Sequence, residues 1–404
     1  MIIKNLPIEF EEARPIMRAI EDAGYEAYFV GGSVRDTILG HAIHDVDIAT
    51  SAYPEEIKKI FNHTVDTGIE HGTVMILDHG EGYETTTFRT ESGYQDFRRP
   101  DEVTFVRSLK EDLKRRDFTI NALAMRENGE VIDLFNGLDD LDNHIIRTVG
   151  EAYERFHEDA LRMMRAVRFA GQLNFKIEQK TLLGITENAS LLEKIAVERI
   201  RVELEKLCMG QYVQLGMKPF VTTKLYQYCP EMIPYYDVLS RLSNTSIPEL
   251  KSDTEVWSFI TYAIELNGSD CSHFLKAWKT SNQVISDVLT IHDVINAIMT
   301  NKLDEMVIYQ AGLERSLVAQ KLSVFFEGNV TANVIKEIAA ALPIKSKSDL
   351  KVDGGQLIKQ LGIKPGPLVG KLLVILENQV VRGILTNDEA TLIKFATQIA
   401  AEEG

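Results

Sequence analysis

The chain has 404 residues, of which 45% are hydrophobic and 26% charged. That is enough apolar material for several cores and suggests two to four domains. Its net charge of −16 argues against a generic nucleic-acid binder, though not against a local basic surface. Apolar stretches such as Leu368 to Leu376 are too short to cross a bilayer, and Met1-Ile2-Ile3-Lys4-Asn5 leads into a charged segment rather than an apolar signal core. Cys208, Cys229 and Cys271 are scattered, without zinc spacing or a disulfide framework. The expectation is a cytoplasmic protein that does not engage a membrane.

The first 150 residues read as mixed α/β. Ile8 to Ala23 has an amphipathic helical pattern that Gly24 ends. Glu26 to Val30 predicts a short strand broken by Gly31-Gly32, and Ser33 to Leu39 a helix closed by Gly40. Val46 to Ile48 is a strand core, and Pro54 opens a helix over Glu55 to Phe61. Thr73 to Leu77, Tyr83 to Phe88 and Val103 to Val106 are strands, with a polar loop from Arg89 to Glu102 between the last two. From about Gly150 the period becomes helical, with long helices over Glu151 to Gln172 and Val197 to Met209. The later chain is helix-rich, with Gly/Pro punctuation near 353–367. Between Lys336 and Lys371, seven lysines face three acids, a local excess that could meet a phosphate backbone or simply be a solvated face.

Two constellations carry chemistry. In the first, Gly31-Gly32-Ser33-Val34-Arg35-Asp36 stands at a strand-to-helix turn. Glycines there let backbone N–H groups approach a phosphate, and the helix start adds positive partial charge. Taken alone, such a turn is often only a connector. Ten residues on, Asp45-Val46-Asp47 puts two carboxylates at i and i+2, one face of a strand. Like charges so placed call for a cation, and Mg²⁺ takes a few carboxylates, waters and phosphate oxygens. Glu84, on a later strand, is a candidate third carboxylate. The competing reading of Asp45 and Asp47 is an exposed alternating strand.

The second constellation joins a basic turn, Lys114-Arg115-Arg116-Asp117, to the segment Glu158-Asp159-Ala160-Leu161-Arg162-Met163-Met164-Arg165-Ala166-Val167-Arg168. Phe156, Ala160, Met163, Val167 and Ala170 make a buried stripe, leaving Glu158, Asp159, Arg162 and Arg165 on another face. These could be surface ion pairs worth a few tenths of a kcal/mol each. Alternatively, Asp159 accepts hydrogen bonds and Arg162 donates them. Cytosine and adenine each show an amino donor beside a ring acceptor, whereas guanine and uracil show the reverse. Each unpaired buried group costs on the order of 1–3 kcal/mol, so an Asp–Arg pair could select C and A.

With these residues in view, the chain resembles the class II tRNA nucleotidyltransferases, the CCA-adding enzymes of bacteria. The likeness rests on the ordered series 31–36, 45–47, 115–122, 133–137, 158–169 and 197–200, across roughly half the chain, and on a looser C-terminal similarity to the Gram-positive form. Leu134 stands where the family often has Pro. The resemblance implies an α+β fold: a polymerase-β-like mixed-sheet nucleotidyltransferase head (1–149), then an all-α neck (150–210), body (211–313) and tail (314–404). It implies Mg²⁺ at Asp45 and Asp47, and nucleotide phosphate or sugar contacts from Gly32, Arg35 and Arg116. Asp159 and Arg162 would read the base, Glu158 would steady Arg162, and Arg165 and Arg168 would support binding. The 89–102 segment would act in switching from C to A, and the tail would grip tRNA. CTP and ATP would be the substrates.

Other readings share the head. A poly(A) polymerase should be more basic overall, and a CC-only enzyme should lack the flexible loop. An A-only enzyme has nearly the same motifs. A catalytically inactive RNA-binding protein has no need of both Asp45 and Asp47. A metal phosphohydrolase domain needs more spaced His and Asp than the C-terminal half offers, so His273 and His292 read as surface or cap residues.

Overall fold

Ala27-Tyr28-Phe29-Val30 has no polar face, and such a run is stable only as a strand covered on both sides. The computed structural model, which describes residues 1–43, 45–95 and 99–403, makes it strand β1 (Ala27–Val30), buried throughout. Helix α1 (Ile8–Asp22) covers one face through Phe10, Ile16, Met17 and Ile20, with Phe10 meeting Phe29 edge-on at 4.7 Å. On the other face Tyr28 and Val30 join a core with Phe88, Leu109, Leu113 and Ala122.

Gly31 ends the strand at φ +77, and α2 (Gly32–Ile38) begins at once. The chain returns as β2 (Asp47–Thr50), antiparallel to β1 with Val30 opposite Asp47. Helix α3 (Pro54–Ile60) follows. Next come β3 (Thr64–Gly68), β4 (Thr73–Asp78) and β5 (Glu81–Thr87), and β5 runs parallel to β2. After the hairpin β6 (Arg89–Gln95) and β7 (Arg99–Phe105) comes α4 (Leu109–Lys114). Strands β8 (Leu123–Met125) and β9 (Val131–Asp133) complete a seven-stranded mixed sheet in the order β3-β4-β5-β2-β1-β8-β9.

Helices then dominate: α5 (Gly137–Asp142), α6 (Ala152–Glu158), α7 (Leu161–Leu173), α8 (Gln179–Asn188), α9 (Val197–Cys208), α10 (Val213–Thr222) and α11 (Tyr236–Leu242). The two-stranded pair Ile145–Ile146 and Lys176–Ile177 lies among them. Contacts divide the chain into two units, Met1–Ser246 and Ile247–Gly404. The second unit is helical from Asp253 to Glu403, and Leu357, Leu372, Leu376, Val380 and Leu392 are among the residues of its core. No helix among the described residues is long and apolar enough to cross a membrane.

Four expectations need correction. Asp45 precedes β2 rather than lying in it. The supposed polar loop at 89–102 is largely the β6–β7 hairpin, with Arg89 opposite Phe105 and Glu91 opposite Val103. Its polar strands pair with each other outside the main sheet, so they lack the apolar alternation that marks a half-buried strand. Residues 96–98 of that segment lie outside the described residues. The single helix over 151–172 breaks at Asp159, whose φ −139 and ψ 99 are extended. Finally, His292 is not a surface residue. It is 3% exposed, with Nε2 3.1 Å from both Thr261 Oγ1 and the Ser258 carbonyl.

Candidate functional site

The end of β1, the start of β2, the turn after α4 and helices α7 and α9 surround one cleft of about 1110 Å³. Gly32, Arg35, Asp45, Asp47, Arg116, Asp159, Arg162, Arg165 and Arg168 all line it. Glu84 opens instead on an adjoining hollow of about 360 Å³, which Asp45 and Asp47 also line.

Gly31 is where backbone freedom matters. At φ +77 an L side chain is strained, and a Cβ would come within 3.2 Å of Arg116 Nη1 and 4.0 Å of Asp47 Oδ2. Gly31→Ala should therefore cost about 1–3 kcal/mol, seen as a lower urea midpoint for the first unit. An unchanged midpoint would mean the turn relaxes freely. Gly32, by contrast, already has room, 3.6 Å from Arg35 Nη2.

Arg116 is the open cation of this end. Its Nη1 and Nη2 make long contacts of 3.4 Å to the Asn121 carbonyl and to Asp112. Its Nε is buried and has no partner among the described residues. Burial pulls its pKa down, so an anion here would recover charge stabilisation now forgone. Asp47 stands close by. Burial pushes its carboxyl above the usual range; Arg116 opposes that rise, while Glu84 and Asp45 add to it. A cation shared with phosphate oxygens would relieve this repulsion. Two acidic ligands with the remaining positions left to water and substrate suit Mg²⁺. Among the described residues no three His, Cys, Asp or Glu side chains gather tightly enough to hold a metal unaided.

Three further cations, Arg35, Arg165 and Arg168, are held by protein. Arg35 makes a two-pronged pair with Asp36 at 2.8 Å and donates to Asn121 Oδ1 at 2.6 Å. Asn121 donates in turn to Asp117 Oδ1 at 3.1 Å, and Arg165 grips Asp117 Oδ2 at 2.7 and 2.6 Å. Arg168 pairs with Glu203 and donates to Gln172. The Arg35, Arg165 and Arg168 guanidiniums lie 5.1, 5.4 and 4.1 Å from the centre of the Phe169 ring, a shared cation–π platform.

Burial alone would raise the Asp117 carboxyl, but Arg165 and Asn121 hold it down to about 2. A depressed carboxyl contributes stability above its unfolded value of 3.8 and loses it as pH falls through the folded value. The contribution is roughly 2 kcal/mol. Between pH 5 and pH 2, wild type should lose about that much more stability in urea than Asp117→Asn. Parallel pH curves would remove the assignment.

The break at Asp159 shapes the far wall. Asp159 Oδ1 accepts the Leu161 N–H at 3.0 Å, and burial raises its carboxyl. Arg162 is 7% exposed and locked by Glu158 at 2.9 Å, the Arg115 carbonyl at 2.8 Å and the Arg155 carbonyl at 3.3 Å. Arg115 also binds Asp112 and Glu91, which sets the root of the β6–β7 hairpin beside this wall.

Sequence reasoning gave no role to Asn121 or Phe169, although both lie inside quoted motifs. It also missed Arg199, Arg201 and Lys206, which α9 brings to the cleft. Only the Val-Glu-Arg-Ile segment hinted at them.

The Poly A polymerase head domain family matches residues 27–147. The RNA and SrmB-binding site of polymerase A matches 174–235, and tRNA nucleotidyltransferase domain 2 matches 248–396. The CCA-adding enzyme of Limosilactobacillus reuteri strain DSM 20016 is 55% identical over 402 residues, covering 100% of both chains. That of Enterococcus faecalis is 50% identical over 396 residues, covering 98% of both. The Bacillus stearothermophilus CCA-adding enzyme, solved in complex with CTP, superposes with a TM-score of 0.89 at 39% identity, over 98% of this chain and 99% of that one.

Proposed function

Because this chain belongs to the CCA-adding enzymes, we propose that its cleft is where nucleotides are joined to tRNA. The activity is stepwise addition of C, C and A to the 3′ end of tRNA from CTP and ATP, with pyrophosphate released and no nucleic-acid template. The observation that carries the site assignment is the pairing of two unlike ends in one cleft. At one end Arg116 offers an Nε without a partner among the described residues, beside Asp45 and Asp47. At the other, Asp159 and Arg162 present an acceptor and a donor.

Each addition forms a bond between the tRNA 3′-oxygen and the α-phosphorus of the nucleotide, and breaks the bond to the pyrophosphate. Asp45 and Asp47 would hold Mg²⁺. When bound, the cation supplies the positive charge that favours the ionised 3′-hydroxyl and steadies the leaving pyrophosphate. Glu84 adds negative charge behind Asp47. Arg116 and the backbone at Gly31 and Gly32 receive phosphate oxygens. Arg35 is already bound to Asp36 and Asn121, and it lines the sugar and phosphate side of the cleft. Asp159 and Arg162 read the pairing edge, with Glu158 fixing Arg162. Arg165 and Arg168 keep that wall rigid through Asp117, Glu203 and Phe169. The β6–β7 hairpin serves the change from C to A. Residues 1–149 form the head and 150–210 the neck. The body, 211–313, spans the division between the two units in sequence, and the tail, 314–404, holds tRNA through its lysines. The enzyme works in the cytoplasm.

The test is incorporation on a tRNA transcript lacking CCA, with Mg²⁺ and CTP, ATP or both. Two C and then one A is the expected product. Stopping after two C, adding only A to a CC end, or growing long A tails on unrelated RNA would each replace this reading.

A further inference from the structure

We propose that α9 forms the acceptor-strand side of the cleft, with Arg199 and Lys206 binding phosphates at the 3′ end of the RNA. This rests on the cleft being the transfer site. Transfer requires two anionic substrates to meet there, the incoming triphosphate and the terminal phosphates of the RNA. The cleft's cations must divide between them.

Most of those cations are already committed. Arg35, Arg115, Arg162, Arg165, Arg168 and Arg201 are each tied to a carboxylate. Arg116 stands beside Asp45 and Asp47, at the triphosphate end. Among the described residues no hydrogen bond or ion pair joins the side chain of Arg199 or Lys206 to protein, and both are exposed. They are unspent positive charge at the other end, where Arg199 is close enough to Asp159 to act on its carboxyl.

Helical geometry makes them one surface. Positions seven apart fall on the same face, about 10 Å apart along the axis, too far for a single phosphate group to bridge. Val202 lies on the same face between them, is 37% exposed and lines the cleft. Cation, apolar contact and cation in a row suit a single strand, whose phosphates and bases alternate. Glu198 also lines the cleft; as an acceptor it suits a ribose hydroxyl and turns phosphate away from its own turn. The neighbouring acids Glu203 and Glu205 are neutralised by Arg168 and Arg201.

The experiment measures A addition to tRNA ending in CC, comparing wild type with Arg199→Ala, Arg199→Lys and the double variant Arg199→Ala/Lys206→Ala. The double variant should raise the KM for RNA about tenfold while shifting the KM for ATP by less than about twofold. Its plot of log KM against log salt should flatten by about 0.7 per lost contact. Arg199→Lys should keep most of the RNA affinity. A raised KM for ATP with unchanged RNA affinity would assign these cations to the nucleotide, and no change in either would leave them a solvated face. Both results overturn the proposal. Failure of wild type to incorporate any nucleotide would instead remove the reading of the cleft itself.

Discussion

Replacing Asp45 with Ala should reduce nucleotide incorporation by about a thousandfold or more while tRNA remains bound. The carboxylate pair is where charge is built against itself. Burial, Glu84 and Asp45 all push the Asp47 carboxyl upward, and Arg116 opposes them. A protein keeps such repulsion where a cation repays it. If Asp45 and Asp47 are the two acidic ligands, losing one weakens the hold on that cation, and about 4 kcal/mol of lost transition-state stabilisation is a thousandfold in rate. Affinity for tRNA should persist, because removing an acid only lessens repulsion toward phosphate. Asp47→Asn should behave alike, since it keeps the shape but not the charge. Single-turnover incorporation read beside gel-shift binding decides the matter. Incorporation within about tenfold of wild type would take Asp45 out of the metal site, and lost binding would make its role structural.

The parts of this site that were legible in sequence are those where spacing alone decides geometry. Gly31-Gly32 after an all-apolar run implies a sharp strand end, and φ +77 at Gly31 is that turn. The stripe Phe156, Ala160, Met163, Val167 and Ala170 is buried throughout, because core burial follows helical periodicity even across a break. The break itself was not legible. Asp159 sits inside a helical period, and what makes it extended is local chemistry, its side chain capping the Leu161 N–H, which propensity does not register. The hairpin at 89–105 was hidden for the opposite reason, since its strands answer to each other rather than to the core. Arg199 was hidden because a cation on an amphipathic helix looks like any solvated residue until the fold shows which acids are already taken.

That break makes Asp159 the sharpest test of base choice. In an unbroken helix Asp159 and Arg162 would share one turn and could satisfy each other. Here three of the five Arg162 N–H donors go to Glu158 and two backbone carbonyls, which fixes the guanidinium and leaves two donors for a base. Asp159 spends one oxygen on Leu161 and lines the cleft, with no ion-pair partner at hydrogen-bonding distance among the described residues. An ionised carboxylate there would accept the amino group of cytosine or adenine and repel the carbonyl of uracil or guanine. Asp159→Ala removes both the attraction and the repulsion. Discrimination of CTP and ATP against UTP and GTP should fall about tenfold to a hundredfold, the equivalent of 1–3 kcal/mol. The wild-type chain should move the same way with acid. Burial raises this carboxyl, so as pH falls toward the raised value the protonated form gains weight. That form donates where the ionised form only accepts, and it tolerates the wrong bases. The ratios of kcat/KM for the four nucleotides, measured for both proteins across pH, carry the test. A variant that keeps wild-type ratios would place base reading on other groups of the wall, and selectivity that stays flat in acid would mean Asp159 reads the base in a form that does not titrate there.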